Sequence, residues 1–289
     1  MPNHELVCFG DLLKIPGTDR TLSDAKSAGG QVRMVWSPFD SIEFAKQNPE
    51  TTFVIAAIGF ETTAPAFALL LEEARGQGLS NIRLLTSLKS ALSAIDWICA
   101  AGEDIDAFLC PGHVSVITGA NAYIPLAEKY GKPFIVAGFE PEHLVSAIRA
   151  AVEDAAEGQS GVRNYYTEAV SDFGNQKAKD IIGRYFDLGD AVWRGLGTVA
   201  GSGYCLKAKW RGASIEGTAT DGGTSFEGTA TGVGAATVPE GCCCEAVILG
   251  RIDPDECPLF GTACTPLQAV GPCMVSAEGA CGTWYRSRV

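Results

Sequence analysis

The sequence has no long uninterrupted hydrophobic run. Its apolar stretches, such as FVIAAIGF and APAFALLL, are short and are separated by Glu61, whereas a membrane-spanning helix needs about 20 mostly apolar residues. The first residues, MPNHELVCFGDLLKIPG, also lack the basic stretch followed by an apolar one that is typical of a secretory signal. These absences predict no transmembrane span and a cytoplasmic location.

Positive charge is scarce as well. The chain has 22 lysines and arginines against 34 aspartates and glutamates, which gives a net charge of −12. Such a chain repels phosphate backbones and anionic lipid surfaces, so we expect neither nucleic acid nor a membrane as a partner. The 289 residues are 46% hydrophobic, which predicts a folded protein of two or three domains.

Short apolar runs alternate with helix-period segments over the first two thirds of the chain. Strands are predicted at 32–37, 52–60, 82–87, 105–112 and 132–140, and helices at 38–48, 64–78, 91–102, 120–131 and 141–158. This alternation predicts an α/β fold with parallel sheets, in two α/β lobes around a cleft.

A change of composition near residue 190 predicts a further domain. We expect the first lobe at 1–119, the second at 120–190 and a C-terminal domain at 191–289. Residues 212–241 of that domain form a Gly/Thr-rich loop, in which EGTAT occurs at 216 and again at 227. Two copies are too few for a solenoid, so we interpret this stretch as a surface linker.

Three strand ends share one pattern, in which an apolar run meets glycine or proline beside a polar residue. They are AIGFETTAP (57–65), LCPGHVS (109–115) and VAGFEP (136–141). Because ligands bind at the carboxyl ends of parallel strands, we expect Glu61, His113 and Glu140 to face one cleft as catalytic candidates. The alternatives are that the two glutamates cap helices and that the histidine is structural.

A fourth strand end, CFGDLLKIPG (8–17), contains Cys8. This cysteine is a candidate reactive thiol facing the same cleft. The alternative is a buried and inert side chain, which is common for a cysteine in an apolar run.

Cysteine is concentrated at the end of the chain, where residues 242–281 contain seven of the eleven. An odd total and the expected location argue against a framework of disulfides. Four thiolates at one centre would hold a zinc ion or an iron–sulfur cluster. The long spacings, without a C-x2-C pair, favour a [4Fe–4S] cluster, with zinc and free buried thiols as the alternatives.

Taken together, these motifs resemble the hydrogenase maturation factor HypD family. The resemblance runs in family order from residue 6 almost to the end, and it includes the long stretches VRMVWSPFDSIEFAKQNP, AFLCPGHVSVITG, VAGFEPEHLVSAI, VWRGLGTV and GPCMVSAEGAC.

The resemblance implies a fold and a function. HypD-like proteins have two α/β lobes around a cleft and a third domain with a [4Fe–4S] cluster. With the chaperone HypC they carry an iron with cyanide and carbon monoxide ligands, the Fe(CN)2CO unit of [NiFe]-hydrogenase, and HypE supplies the cyanide. The family pattern assigns the cluster to Cys257, Cys264, Cys281 and one of Cys242 or Cys244, which leaves Cys243 and Cys273 as non-ligands. It places Glu61, His113 and Glu140 in motifs that line the cleft.

The sequence also departs from the family. A preceding segment with a GPGCPVC element, whose cysteine anchors the iron, has no counterpart here, so we expect an N-terminally truncated member. One alternative function is therefore a truncated iron–sulfur module for electron transfer or partner binding, without maturation activity. Another is an independent enzyme that uses Glu61 and His113 as acid and base.

Overall fold

The computed structural model describes residues 3–17, 20–101, 105–213 and 240–288. Most of the Gly/Thr-rich loop predicted at 212–241 lies outside these ranges. The strands are β1 (His4–Phe9), β2 (Val32–Val35), β3 (Thr52–Gly59), β4 (Ile82–Leu88), β5 (Phe108–Pro111), β6 (Pro133–Ala137), β7 (Gly161–Asn164), β8 (Phe186–Trp193) and β9 (Gly197–Leu206). The helices are α1 (Leu22–Ser27), α2 (Asp40–Gln47), α3 (Ala64–Gly76), α4 (Ala91–Ala100), α5 (Gly112–Thr118), α6 (Ile124–Tyr130), α7 (Pro141–Ala156), α8 (Gln176–Tyr185), α9 (Cys244–Ile248), α10 (Pro272–Val275) and α11 (Ala280–Ser287).

The first sheet has four parallel strands in the order β2-β1-β3-β4. Strand β3 is central, and its residues Phe53–Ala57 are all buried, as expected for a parallel strand covered on both faces. The chain places β2 on one side of β1 and then crosses over to place β3 on the other side, so the order of strands switches between β1 and β3. Their carboxyl ends therefore flank a crevice, which is where open α/β sheets bind ligands.

The second sheet has three parallel strands in the order β5-β6-β7. All five residues of β6 are buried. Strand β5 pairs with β6 and therefore belongs to the second sheet. The expected boundary at residue 119 instead puts β5, and the helix α5 that follows it, in the first lobe. The α/β architecture with parallel sheets is confirmed.

After the second sheet the chain returns to the first. Helix α8 packs on α3, and its Ile181 and Ile182 join the same core as Phe67 and Leu71. Strands β8 and β9 then form an antiparallel hairpin. Strand β9 packs against β4 and α4, so this hairpin is attached to the first lobe.

The C-terminal region, residues 240–288, consists of turns and the short helices α9–α11. Its small core contains Cys244, Cys264, Cys273, Met274 and Cys281. In the described ranges, no helix combines the length and apolarity that crossing a membrane requires.

Candidate metal centre

Five cysteine side chains line one void in the C-terminal region. They are the five predicted as ligand candidates: Cys242, Cys244, Cys257, Cys264 and Cys281. Apolar side chains, including Leu259, Phe260 and Met274, form the rest of the wall. The structure therefore brings together thiols that are up to 39 positions apart in the chain, inside a wall that restricts access of water.

Gly271 allows the backbone to approach two of these sulfurs. A Cβ atom at this position would lie 2.5 Å from the Sγ atoms of both Cys242 and Cys244. Only glycine leaves room there, because real Cβ contacts are not this short. Next to it, the Val270 N–H donates to Cys264 Sγ at 3.4 Å, a contact that stabilises a thiolate.

The five sulfurs of the void are the donor type that iron–sulfur clusters use. In the parts of the chain that the structure describes, no group of three or more His, Cys, Asp or Glu side chains is close enough to hold one metal ion. In a [4Fe–4S] cluster each thiolate binds a different iron, so the ligands form a wider ring around a larger centre. The donor set thus fits a cluster, and the choice between a [4Fe–4S] cluster and zinc stays a prediction.

Cys242 and Cys244 are too close together to be separate ligands of one cluster in this arrangement. Their Sγ atoms are 3.3 Å apart and share a hydrogen bond, whereas even two ligands of one zinc ion lie about 3.8 Å apart when Zn–S is about 2.3 Å. In this arrangement at most one of the two could be a ligand, and the ligand role of Cys242 or Cys244 stays a prediction.

Burial raises the pKa of two thiols of this void, Cys242 and Cys281, and so favours their protonated form. Desolvation, followed by the neighbouring cysteines, raises the pKa of Cys281 to about 12. Desolvation and the hydrogen bond with Cys244 raise the pKa of Cys242 to about 12. A metal centre must displace these protons, because the thiolate is the ligand.

The two remaining cysteines of this region do not line the void. Cys273 is buried, and its Sγ donates to the Cys244 carbonyl at 3.9 Å. Cys243 Sγ donates to the Gly241 carbonyl at 3.7 Å. Their expected role as non-ligands has not been tested chemically and stays a prediction.

Glu61 lies at the carboxyl end of the first sheet, as predicted, and its carboxylate is 2% exposed. It accepts hydrogen bonds from the Ala91 N–H at 3.0 and 3.2 Å and from Tyr204 Oη at 3.4 Å. Glu61 thus binds the start of α4, where the helix dipole favours an anion, and not the start of α3, which follows it in the chain. These contacts show a structural role, and its catalytic role stays a prediction.

His113 and Glu140 lie at the carboxyl end of the second sheet. His113 is exposed at the start of α5, with its ring 4.9 Å from that of Phe139. Glu140 precedes α7, and its Oε2 lies 3.1 Å from His143 Nδ1. The other ring nitrogen of His143 is 3.1 Å from Glu168 Oε1. The catalytic role of His113 and Glu140 stays a prediction.

Cys8 is the penultimate residue of β1 and is 2% exposed. Burial, followed by the charge of Asp11, raises the pKa of its thiol. Cys8 packs with Leu12 and Ala56. In this conformation Cys8 has the environment of a packed, unreactive thiol. The expected role as a reactive thiol facing the cleft stays a prediction.

The turn of the β8–β9 hairpin joins the first lobe to the cysteine region. Arg194 Nη1 donates to the Pro16 carbonyl at 2.9 Å, which holds the segment that follows β1. A Cβ at Gly195 would lie 3.4 Å from the Cys244 Cβ and 3.1 Å from Pro272. One turn therefore contacts both the FGDLLKIPG segment and the wall of the void.

Sequence reasoning missed His143, Arg194 and Gly271 as residues that shape these sites. Gly271 stands in the run Val-Gly-Pro-Cys, where a glycine before a proline is an ordinary turn signal. For His143 the only signal was its spacing of three residues from Glu140, which places both on one face of a helix. No local pattern identifies the partner of Arg194, because Pro16 is 178 positions away.

Comparison with known proteins gives a consistent result. The family model described as "HypD: Hydrogenase formation hypA family" matches residues 1–288. The chain is 36% identical over 292 residues to the hydrogenase maturation factor HypD of Azotobacter vinelandii, which covers 98% of this chain and 74% of that protein. It is 37% identical over 294 residues to HypD of Escherichia coli K12, with coverage of 97% and 73%.

Proposed function

The chain belongs to the HypD family, and from this premise we propose that it acts in hydrogenase maturation as a scaffold with a redox centre. The proposed task is assembly of the Fe(CN)2CO unit of [NiFe]-hydrogenase in the cytoplasm, with a HypC-like chaperone and a HypE-like cyanide donor. Five cysteine sulfurs lining one void are the observation that supports this proposal most strongly.

We assign a [4Fe–4S] cluster to that void, with Cys257, Cys264 and Cys281 as three ligands and Cys242 or Cys244 as the fourth. The cluster, when bound, would supply one electron at a time. The protein's own contribution is to place the thiols, to exclude water with apolar side chains, and to donate the Val270 N–H to Cys264 Sγ.

The iron with its diatomic ligands is cargo in this proposal. It would be held between the lobes, and the expected cleft residues are Cys8, Glu61, His113 and Glu140, each of which lies at or next to the end of a strand. Soft sulfur suits iron as a ligand, and Cys8 is the one thiol among these four candidates. Because Cys8 is buried in this conformation, binding of the cargo would require its side chain to become exposed. The contact of the β8–β9 turn with both regions supports a link between the cargo site and the cluster.

Complementation tests the proposed function directly. The gene would be expressed in a bacterial strain that lacks its own HypD, and hydrogenase activity would be measured. We expect wild type and Cys273→Ala to restore activity and Cys281→Ala to fail. Of these two cysteines, Cys281 lines the void and Cys273 does not. Restoration by Cys281→Ala at equal protein level would contradict the proposal.

A second candidate function is an iron–sulfur module for electron transfer or partner binding, without maturation activity. The hydrogen bonds that Glu61 accepts from Ala91 and Tyr204 favour this second function. They hold the Glu61 carboxylate inside the fold, where it is not free to contact a cargo. The two functions differ in one result. A maturation scaffold co-purifies anaerobically with a HypC-like chaperone and restores hydrogenase activity, whereas the module binds its cluster and does neither.

A further inference from the structure

A second cavity, remote from the cysteine region, lies at the other end of the first sheet. It has a volume of about 220 Å³ and is enclosed by the last turns of α3, the start of β4 and the 3₁₀ turn Ala208–Ala213. The candidate carboxylate Glu61 follows the carboxyl end of β3, whereas this cavity is at the amino-terminal end of β4. Nothing in the proposed maturation function uses it.

Three cationic side chains line this cavity: Arg75, Arg83 and Lys209. Such a concentration is unusual in a chain with a net charge of −12. Among the described residues, no carboxylate forms an ion pair with any of the three. The two carboxylates of α3 are engaged elsewhere, Glu72 by Arg184 and Glu73 by Gln77.

Trp210 holds a fixed position in the wall. Its Nε1–H donates to the Arg184 carbonyl at 2.9 Å, and its ring stacks on Tyr185 with the centroids 5.0 Å apart. The Arg75 guanidinium lies 4.3 Å from the Trp210 centroid, and Lys209 Nζ lies 4.8 Å from it. A stacked guanidinium keeps its in-plane N–H donors available for an oxyanion.

Arg83 is fixed as well, through hydrogen bonds from Nη1 to the carbonyls of Ser80 and Ile82. The floor of the cavity is apolar, with Leu71, Ala74 and Ile82 almost fully buried beneath it. The cavity therefore combines a cationic rim with an apolar floor. Its volume lies below the roughly 300–1,000 Å³ of pockets for drug-sized ligands, so it suits a compact molecule.

We propose that this cavity is a binding site for a small organic anion, a carboxylate or phosphate ester that carries an apolar group. Its oxygens would accept hydrogen bonds from Arg75, Arg83 and Lys209. Its apolar group would lie against the indole of Trp210 and the partly exposed side chain of Leu79. Both parts are required, because the charge supplies attraction and the apolar contact supplies selectivity against inorganic anions.

Calorimetric titration of the anaerobically purified full chain tests this site. The probe is phenyl phosphate, with inorganic phosphate and benzyl alcohol as probes that each lack one part. We expect one saturable site for phenyl phosphate at low salt and at least tenfold weaker binding of both partial probes. Arg75→Gln and Lys209→Gln should each weaken phenyl phosphate binding about tenfold, while the exposed Lys177→Gln should bind as wild type does.

A second measurement uses the wild-type protein, so that the test does not depend on whether Arg75→Gln and Lys209→Gln fold. The indole N–H resonance of Trp210, assigned with Trp210→Phe, should shift as phenyl phosphate is added to wild type. Absence of saturable binding at millimolar phenyl phosphate, or an unmoved Trp210 resonance, would overturn the site. Equal binding of inorganic phosphate, or unchanged affinity in the two charge variants, would also overturn it.

Discussion

At the scale of single residues, Gly271 sets the tightest constraint on the cysteine-lined void. Two sulfurs occupy the space that a side chain would need, and Cys242 and Cys244 both belong to a segment that folds back from 27 or more positions away. The sequence shows that residue 271 is a glycine, but it does not show that a side chain at this position would be excluded. It arises only when those sulfurs approach the backbone.

Gly271→Ala should therefore lose most of the bound iron. The added Cβ would lie 2.5 Å from both sulfurs, and the displacement needed to relieve this contact removes the fourth ligand from position. Iron analysis after anaerobic purification checks the loss. Gly183→Ala is the matched control, because no other atom lies within 4 Å of a Cβ there, and it should retain iron at the wild-type level.

Glu61 allows a second prediction at this scale, about stability. Glu61→Ala leaves the Ala91 N–H and Tyr204 Oη without their acceptor, and we expect a loss of about 1–3 kcal/mol in the free energy of unfolding. Urea or thermal unfolding measures it. Glu43→Ala removes only an exposed ion pair with Lys46 and should cost less than about 1 kcal/mol. Equal stability of both variants would show that the Glu61 contacts contribute little.

At the scale of elements, local patterns were sufficient for most strands and helices of both parallel sheets, whereas β7, α1, α5 and α8 were not predicted. The runs at 52–60 and 132–140 correspond to β3 and β6, and the amphipathic segment at 64–78 corresponds to α3. The β8–β9 hairpin was not predicted, because its repeated glycines and its bulge between Gly189 and Ala191 interrupt the alternation that marks a strand. Its turn, however, joins the cysteine region to the first lobe.

Arg194→Gln tests that role of the hairpin. Loss of the Arg194–Pro16 hydrogen bond should increase amide hydrogen exchange in residues 10–17, while iron content stays unchanged because no ligand moves. Arg149→Gln, which removes an exposed ion pair with Glu153, should leave exchange in that segment as it is. Unaltered exchange in Arg194→Gln would show that other contacts hold the segment.

At the scale of the whole molecule, the path of the chain could not be inferred from local periodicity. Helix α8 and strand β9 follow the second sheet in sequence, yet Ile181, Ile182 and Leu206 complete the core of the first. Likewise β5 pairs with β6, although the expected lobe boundary at residue 119 lies between them. Contacts of this kind depend on which surfaces remain uncovered once each sheet has formed. A periodic pattern of a few residues indicates a helix or a strand, but it does not indicate which sheet that element will cover.

The convergence of the cysteines was predicted better than their surroundings, because four or more thiols in forty residues have few chemical uses outside metal binding. Their number and spacing indicated a cluster. The apolar wall of Leu259, Phe260 and Met274 required the fold.

Iron and acid-labile sulfide analysis of the anaerobically purified protein tests the central claim most directly. We predict about four irons and four sulfides per chain, lost in Cys257→Ala and Cys281→Ala and retained in Cys273→Ala. One zinc per chain without sulfide, or a full complement of iron in Cys257→Ala and Cys281→Ala, would contradict the assignment of a [4Fe–4S] cluster to the cysteine-lined void.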